Sequence, residues 1–269
     1  EYDPAILEAN NTVVEVIENE EDFTTDRLVA MDILHQPERV IIEYNGMWLV
    51  SNFEKMQLPT GWGVEQQITC VDGSTFQMYM ANMKSIFMDM IKNTDMVIFN
   101  RCKKEDPLPT YRRGIKVANQ RAEVIFEDEE GELGDIFQDE MPFDMNAPVI
   151  EILPEDYGIW FVDAMDHPEN YEGKTVKFKA RVMKPRGMGS KFFVPGRTAM
   201  TCCADDTTFL GYVCKSAYAP KLTPGEWVEV TAKVGIEKRN EYQGEEGIVL
   251  DAEHVEQCDP LEDEMVYFN

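Results

Sequence analysis

The first half of the chain alternates short apolar runs with longer segments whose apolar residues recur at helical spacing. The apolar runs predict strands at Thr12–Ile17, Arg39–Glu43, Gln67–Asp72, Asp95–Asn100 and Ala122–Phe126. The segments between them predict helices at Thr24–Leu34, Thr75–Lys92 and Thr110–Arg121, the first with Thr24 or Thr25 as its N-cap. Alternation of this kind is typical of an α/β fold with a mostly parallel sheet and crossover helices.

A different pattern begins near residue 150. One helix is predicted over Pro154–Tyr171. After it, apolar and polar residues alternate with the period of a half-buried strand. These strand segments are Thr175–Lys184, Lys191–Cys202, Phe209–Lys215, Glu226–Ile236 and Gly247–Val255. Five strands separated by Gly- and Pro-containing turns predict a small OB-like β-barrel.

An acidic stretch separates the two patterns. Residues 127–144 are rich in Glu and Asp and contain Gly131 and Gly134, which favours a linker. We therefore expect an α/β domain over residues 1–130, an acidic linker over 131–148 and a barrel domain over 149–269.

The charge of the chain limits its partners. Lys and Arg number 25 and Asp and Glu 51, a formal net charge of -26. Because nucleic-acid binding depends on neutralising phosphates, this balance argues against nucleic acid, and equally against an anionic membrane surface. No apolar run could span a bilayer, and the first residues lack the pattern of an export signal. Six cysteines in 269 residues are too few for a disulfide framework, so we expect a reducing, cytoplasmic location.

Three polar residues hold the same position relative to predicted strands. Glu43, Asp72 and Asn100 each end an apolar run. In open parallel sheets, ligands bind outside the carboxyl ends of the strands, where neighbouring strands bring such residues to one edge. A polar residue after a strand can also simply begin a loop, so position alone leaves both interpretations open.

The order of these strand ends resembles the CobW-type GTPases, a family of metal-cofactor chaperones. The stretches RVIIEYNG, ITCVDGSTF, TDMVIFNRCKKED and NQRAEVIFEDEEGE carry the resemblance, which covers roughly residues 10–130. It implies a P-loop-GTPase-like fold, GTP and Mg²⁺ as cofactors, and a metalloprotein client.

The same resemblance implies roles for individual residues. Glu43 and Gly46 match the family's Glu-x-x-Gly near the γ-phosphate and would be catalytic. Asp72 would support the edge of the nucleotide site. Asn100 and Arg101 match the first two residues of the guanine-reading Asn-Lys-x-Asp and would hold the base.

Three departures separate the chain from that family. Lys103 stands where the guanine-reading carboxylate is expected, and an ammonium has donors only, so Glu105 or Asp106 would have to substitute. The phosphate loop G-x-x-x-x-G-K-[ST] is absent from the 269 residues. The family's Cys-x-Cys-Cys motif is replaced by the acidic stretch 18–23. We therefore expect a fragment that hydrolyses GTP only if a longer form supplies the phosphate loop.

A pair of cysteines in the second half suggests a metal site. Thiolates suit Zn²⁺, and the turn expected after Cys202 and Cys203 would let both reach one ion, with Cys214 joining across a hairpin. The predicted metal ligands are therefore Cys202, Cys203 and Cys214. The alternative is a pair of small residues at the end of a strand.

The text around these cysteines carries a second resemblance. GRTAMTCCADDTTFLGYVCKS, with YEGKTVKFKARV before it and LTPGEWVEVTAKV after it, resembles the carboxy-terminal domain of the YcgQ-like proteins over about residues 150–269. Those proteins are partner subunits of bacterial permeases, so the resemblance implies a membrane permease as partner.

Together these observations lead to two hypotheses. The first is a GTP-binding protein of the CobW type, whose nucleotide gates the handling of a metal or cofactor. The second is a non-enzymatic metal-binding or interaction module that partners a membrane permease. A guanine nucleotide is a partner only in the first, whereas a metal ion fits both.

Overall fold

The computed structural model describes residues 4–134, 141–201 and 206–266. The chain forms two compact units, Glu1–Gln67 and Ile68–Asn269. The domain boundaries predicted from the sequence stay predictions, and residues 135–140 of the predicted linker lie outside the described residues.

Short helices make up the regular structure of the first unit. They are α1 (Pro4–Ala9), a 3₁₀ turn (Glu20–Asp22), α2 (Thr25–His35) and α3 (Val50–Glu54). The helix predicted in this region is confirmed as α2, and the hydroxyl of Thr24 caps it by accepting the N–H of Arg27 at 3.3 Å. Within the described ranges, neither unit has a helix long and apolar enough to cross a bilayer.

Two of the predicted strands, Thr12–Ile17 and Arg39–Glu43, are wrong, because both segments are irregular. Their β-branched side chains favour extended backbone locally, but a strand also needs a second strand to satisfy its backbone hydrogen bonds. Within the described residues, neither segment pairs with a strand. Apolar side chains in both segments therefore face solvent, with Val16 67% and Ile41 87% exposed.

The second unit begins with a parallel three-stranded sheet. Its strands are, in order, β1 (Ile68–Asp72), β2 (Met96–Asn100) and β3 (Glu123–Phe126). Helix α4 (Phe76–Ile91) connects the first two strands and α5 (Leu108–Ala118) the last two. The predicted strand–helix alternation and the parallel sheet are confirmed for this part of the chain.

Aromatic packing fixes this sheet against its helices. Phe99 of β2 and Phe126 of β3 are fully buried and stack with ring centroids 4.8 Å apart. Phe76 of α4 meets Phe99 edge-on at 4.9 Å, and Tyr111 of α5 lies 4.7 Å from Phe76. Aromatic side chains bury more surface than most others and stabilise a core strongly. The ends of the strands therefore rest on a rigid core.

The rest of the second unit is a β-barrel. Its strands are β4 (Ile150–Glu151), β5 (Thr175–Met183), β6 (Phe192–Met200), β7 (Thr207–Gly211), β8 (Val213–Lys215), β9 (Trp227–Lys238), β10 (Glu246–Gln257) and β11 (Met265–Val266). The order β6-β8-β10-β9-β5 closes when β5 pairs again with β6. This closed five-stranded barrel is consistent with the predicted OB-like barrel.

One predicted barrel segment, Phe209–Lys215, is in fact two strands. The chain changes partner at Tyr212: β7 pairs with the later part of β6, whereas β8 pairs with β10 and with the start of β6. A single apolar run does not reveal such a change, because both strands carry the same alternating pattern.

The helix predicted over Pro154–Tyr171 is broken into pieces. A 3₁₀ turn (Pro154–Asp156) leads into α6 (Tyr157–Asp166), and a second 3₁₀ turn (Pro168–Asn170) follows. A proline has no N–H to donate and its ring clashes with the carbonyl one turn earlier, so the helix ends before Pro168.

Helix α6 packs against the barrel through its aromatic face. Trp160 and Phe161 are buried in the barrel core. The hydroxyl of Tyr157 donates to the carbonyl of Leu210 at 3.0 Å, and the hydroxyl of Tyr212 donates to the carbonyl of Phe161. Both phenols therefore find acceptors inside an otherwise apolar core, as buried tyrosines usually do.

Helix α5 contacts α6 through a largely buried ion-pair cluster. The carboxylate of Asp166, whose side chain is 7% exposed, accepts a hydrogen bond from Arg112 and lies 3.5 Å from the ammonium of Lys116. Burial lowers the pKa of Lys116, and Asp166 opposes that shift. Val117 of the same helix belongs to the barrel core, whereas Tyr111 belongs to the core under the parallel sheet. Helix α5 is therefore shared between the two cores.

Replacing Asp166 by Ala should lower the free energy of unfolding by about 3 kcal/mol, because two partly buried cations lose their common counter-ion. Urea denaturation followed by tryptophan fluorescence measures the loss. The matched control is Glu169→Ala, which removes a carboxylate that is 68% exposed and should change stability by less than about 0.5 kcal/mol. Equal losses in the two variants would contradict a stabilising role for the α5–α6 cluster.

Candidate functional site

The carboxyl ends of β1 and β2 bring two of the three predicted strand-end residues together. Asp72 ends β1, Asn100 ends β2, and the two are paired across the parallel strands. The predicted meeting of polar residues at one sheet edge is confirmed for this pair. Glu43 does not follow a strand: it is exposed in an irregular segment of the first unit, and Gly46 lies in the turn after it.

An ion pair between Arg101 and Asp72 lies at this edge. Arg101 adopts a left-handed backbone conformation with φ of 55°, and its Nη1 donates to Oδ2 of Asp72 at 2.7 Å. Ser74 donates its N–H at 3.0 Å and its hydroxyl at 2.5 Å to the other carboxylate oxygen. The Ser74 hydroxyl and, after it, the Arg101 guanidinium lower the pKa of Asp72, with burial acting in the opposite direction. Asp72 thus holds Arg101 beside Asn100.

The side chain of Asn100 has an acceptor that the described residues leave unused. Its backbone carbonyl accepts the N–H of Gly73 at 2.8 Å. Its side-chain Oδ1 is buried, yet no described residue donates to it. Buried polar atoms without a partner are rare in folded proteins, and each calls for an explanation. An N–H donor of a bound molecule is one such explanation.

A buried thiol lies directly beneath the edge. The Sγ of Cys102 is 3.6 Å from the carbonyl of Phe99, and burial, followed by the charge of Asp106, raises the pKa of the thiol to about 11. A Cβ at Gly73 would lie 2.7 Å from this Sγ and 3.0 Å from the carbonyl of Asn100. Only glycine therefore fits. The sequence pattern does not single out either residue, although a glycine directly after a strand is a signal of close backbone approach.

The loop after Arg101 contains the residue that departs from the family pattern. Lys103 is exposed, and its backbone N–H donates to Oδ2 of Asp106 at 2.8 Å. Asp106 in turn donates its N–H to the carbonyl of Lys103 at 3.1 Å. The loop therefore presents a half-buried carboxylate at Asp106, two residues before α5 begins.

The predicted metal ligands are only partly visible. Cys202 and Cys203 lie outside the described residues, so the site they would form with Cys214 stays a prediction. Cys214 is buried in β8, and burial, with a smaller contribution from Asp251, raises the pKa of its thiol. Across the ranges 4–134, 141–201 and 206–266, no three His, Cys, Asp or Glu side chains are grouped so that they could hold a metal ion.

Gly73→Ala should lower the free energy of unfolding by about 1–3 kcal/mol, because the new methyl group overlaps the Cys102 thiol. Adding Cys102→Ala should restore part of the loss, and chemical denaturation of both variants measures it. The control is Gly114→Ala in α5, where a Cβ meets nothing within 4 Å. If Gly73→Ala were as harmless as the control, the close approach beneath the strand-end edge would be refuted.

Two comparisons with solved structures give only distant likenesses. The mitochondrial single-stranded DNA binding protein from S. cerevisiae is 10% identical, and the likeness covers 32% of this chain and 95% of that one, with a TM-score of 0.20. An aspartyl-tRNA synthetase from Entamoeba histolytica is 14% identical, with 44% of this chain and 27% of that one covered and a TM-score of 0.24. Likenesses this weak say nothing about ligands. A search of curated proteins found no match.

A protein-family model gives a firmer result. The DUF1980 C-terminal domain matches residues 132–268, just over half of the chain. The match contains the whole barrel and α6, and it begins after the strands on which the resemblance to CobW-type GTPases rests. The chain therefore belongs to the family of the DUF1980 C-terminal domain.

Proposed function

We propose that the strand-end edge formed by Asp72, Asn100 and Arg101 is the base-binding part of a guanine-nucleotide site of the CobW type. The single observation that carries the proposal is the buried, unused acceptor of Asn100 at the carboxyl end of a parallel strand. Carboxyl ends of parallel strands are where open α/β sheets bind ligands.

The chemistry of the three side chains suits a purine. The amide of Asn100 offers one acceptor and two donors, which match the N–H groups and the carbonyl on the edge of guanine. The guanidinium of Arg101 is planar and can stack on the face of the base. Asp72 keeps that guanidinium in place through the 2.7 Å ion pair. Asp106 is the carboxylate of the following loop that would complete the recognition of guanine.

Binding of the nucleotide's phosphate groups requires a phosphate loop in addition to this edge. These 269 residues contain no G-x-x-x-x-G-K-[ST] segment, so they supply neither its nest of N–H groups nor its Lys and hydroxyl for phosphate and Mg²⁺. Hydrolysis of GTP is therefore proposed only for a form that carries this loop. Handling of Zn²⁺ or a thiol-bound cofactor by Cys202, Cys203 and Cys214 belongs to the same proposal.

Titration with nucleosides tests base binding without phosphates. We expect guanosine, and not adenosine, to shift the amide NMR signals of Gly73, Arg101 and Cys102. Asn100→Ala should weaken guanosine binding about 5- to 150-fold, because a bidentate amide contact to a base contributes about 1–3 kcal/mol. The control variant is Asn82→Ala, on the exposed side of α4.

Two results would reject the proposal. One is the absence of any shift with either nucleoside. The other is an equal response in Asn100→Ala and in the wild-type protein, which would place binding elsewhere.

A second candidate function is a non-enzymatic interaction module. The observation that favours it is the exposure of large apolar side chains in the first unit, including Ile33 at 71%, Leu34 at 70% and Ile41 at 87%. Exposed apolar patches mark contacts with other proteins. A membrane permease or a metalloprotein client would then be the partner, and failure of the nucleoside titration would favour this candidate.

A further inference from the structure

Positive charge is distributed very unevenly along the chain. Residues 173–225 contain ten of the 25 Lys and Arg but only two of the 51 Asp and Glu. Ten cations against two carboxylates give this segment a charge of +8, whereas the remaining fifteen against forty-nine give -34. An asymmetry of this size suggests a polyanionic partner for one part of the surface.

Two loops of this segment lie side by side on the barrel. Residues 184–191 connect β5 to β6, and residues 216–226 connect β8 to β9, with Glu226, one position past the segment, as the one carboxylate in these loops. The ammonium of Lys184 donates to the carbonyls of Ala219 and Leu222, both at 2.6 Å. The N–H of Ser216 donates to the carbonyl of Lys191 at 2.9 Å. These bonds join the two loops into one surface.

Free cations and one open aromatic ring cover this surface. Arg186, Lys191, Lys215 and Lys221 are exposed, and none of them forms an ion pair within the described ranges. Tyr218 stands among them with 46% of its area exposed. We call these five residues the basic loop surface.

Other cations of the same segment are already neutralised. Lys177 lies 2.9 Å from Glu229 on the neighbouring strand, and Arg181 lies 3.6 Å from Glu264. Arg186, Lys191, Lys215 and Lys221 have no such counter-ion within the described residues. The basic loop surface thus lies on two loops that hydrogen bonds join to each other.

We infer that the basic loop surface binds the phosphate headgroups of an anionic phospholipid membrane. Clusters of four or more Lys and Arg attract anionic lipid, and an exposed tyrosine suits the boundary between headgroups and water. The net charge of -26 would repel an anionic membrane only if the charges of the whole chain acted on the membrane at once. At physiological salt, screening weakens the interaction of exposed charges more than about 8 Å apart. The two loops can therefore contact a membrane while distant acidic residues of the chain repel it only weakly.

Single-stranded nucleic acid fits the same surface less well. Such ligands are held along a groove by several aromatic rings on which bases stack. Phe192, which begins β6 at the end of the first loop, is covered by the guanidinium of Arg239, 4.4 Å from its ring centroid. Tyr218 alone remains open among the aromatic residues of the two loops. A single open ring offers no series of stacking positions, which favours headgroups over a polynucleotide.

Co-sedimentation with lipid vesicles tests the inference. The protein should bind vesicles made of equal parts phosphatidylglycerol and phosphatidylcholine, and not vesicles of phosphatidylcholine alone. High salt should abolish binding, because the contact is electrostatic. Replacing Lys191 and Lys215 together by Gln should weaken binding roughly 25-fold, about fivefold for each charge near the membrane surface. Tyr218→Ser should weaken it without changing its salt dependence.

The control is the double replacement of Lys55 and Lys92 by Gln, which changes the net charge equally at two exposed positions elsewhere. It should bind as the wild-type protein does. Three results would overturn the inference: no binding to the anionic vesicles, equal loss in the control, or tighter binding to a single-stranded oligothymidylate than to the vesicles. In the last case the surface would be assigned to nucleic acid. None of these variants changes Asn100 or its neighbours. The result of the nucleoside titration is therefore independent of the result with lipid vesicles.

Discussion

Parallel pairing of β1 with β2 is the constraint on which the strand-end site depends. The register places Asp72 beside Asn100. The N–H of Gly73 then donates to the carbonyl of Asn100 at 2.8 Å, which extends the backbone hydrogen bonding past the ends of the two strands. A slip of one residue would turn Asp72 to the opposite face of the sheet. The aromatic core around Phe99 fixes the register, and through it the positions of the polar side chains at the edge.

Helix α5 connects the strand-end edge to the barrel half of the protein. It starts directly after the loop that contains Lys103 and Asp106, and it buries residues in both hydrophobic cores. The family match begins at residue 132, yet the compact unit extends from 68 to 269. The parallel sheet and the barrel are therefore one unit in physical terms, with the Asp166 cluster at their junction.

The sequence predicts well where local pattern and tertiary pairing agree. Strands β1 to β3 and the meeting of Asp72 with Asn100 follow from apolar runs that end in polar residues, and α4 and α5 follow from apolar residues at helical spacing. Prediction fails at 12–17 and 39–43, where the same β-branched pattern lacks a pairing strand. The ion pair of Arg101 and the thiol beneath Gly73 depend on a left-handed residue and on a contact across two strands, which periodicity does not encode.

The sheet holds the strand-end site in place before any ligand binds. Hydrogen exchange of the amides of Gly73 and Cys102 tests it most directly, since they donate to carbonyls of β2 and of Glu127 at 2.8 and 2.9 Å. We expect both amides to be protected as strongly as those of Val97 and Phe99 inside the sheet. Exchange as fast as in the irregular segment 39–43 would contradict it, because the edge would then be a mobile loop.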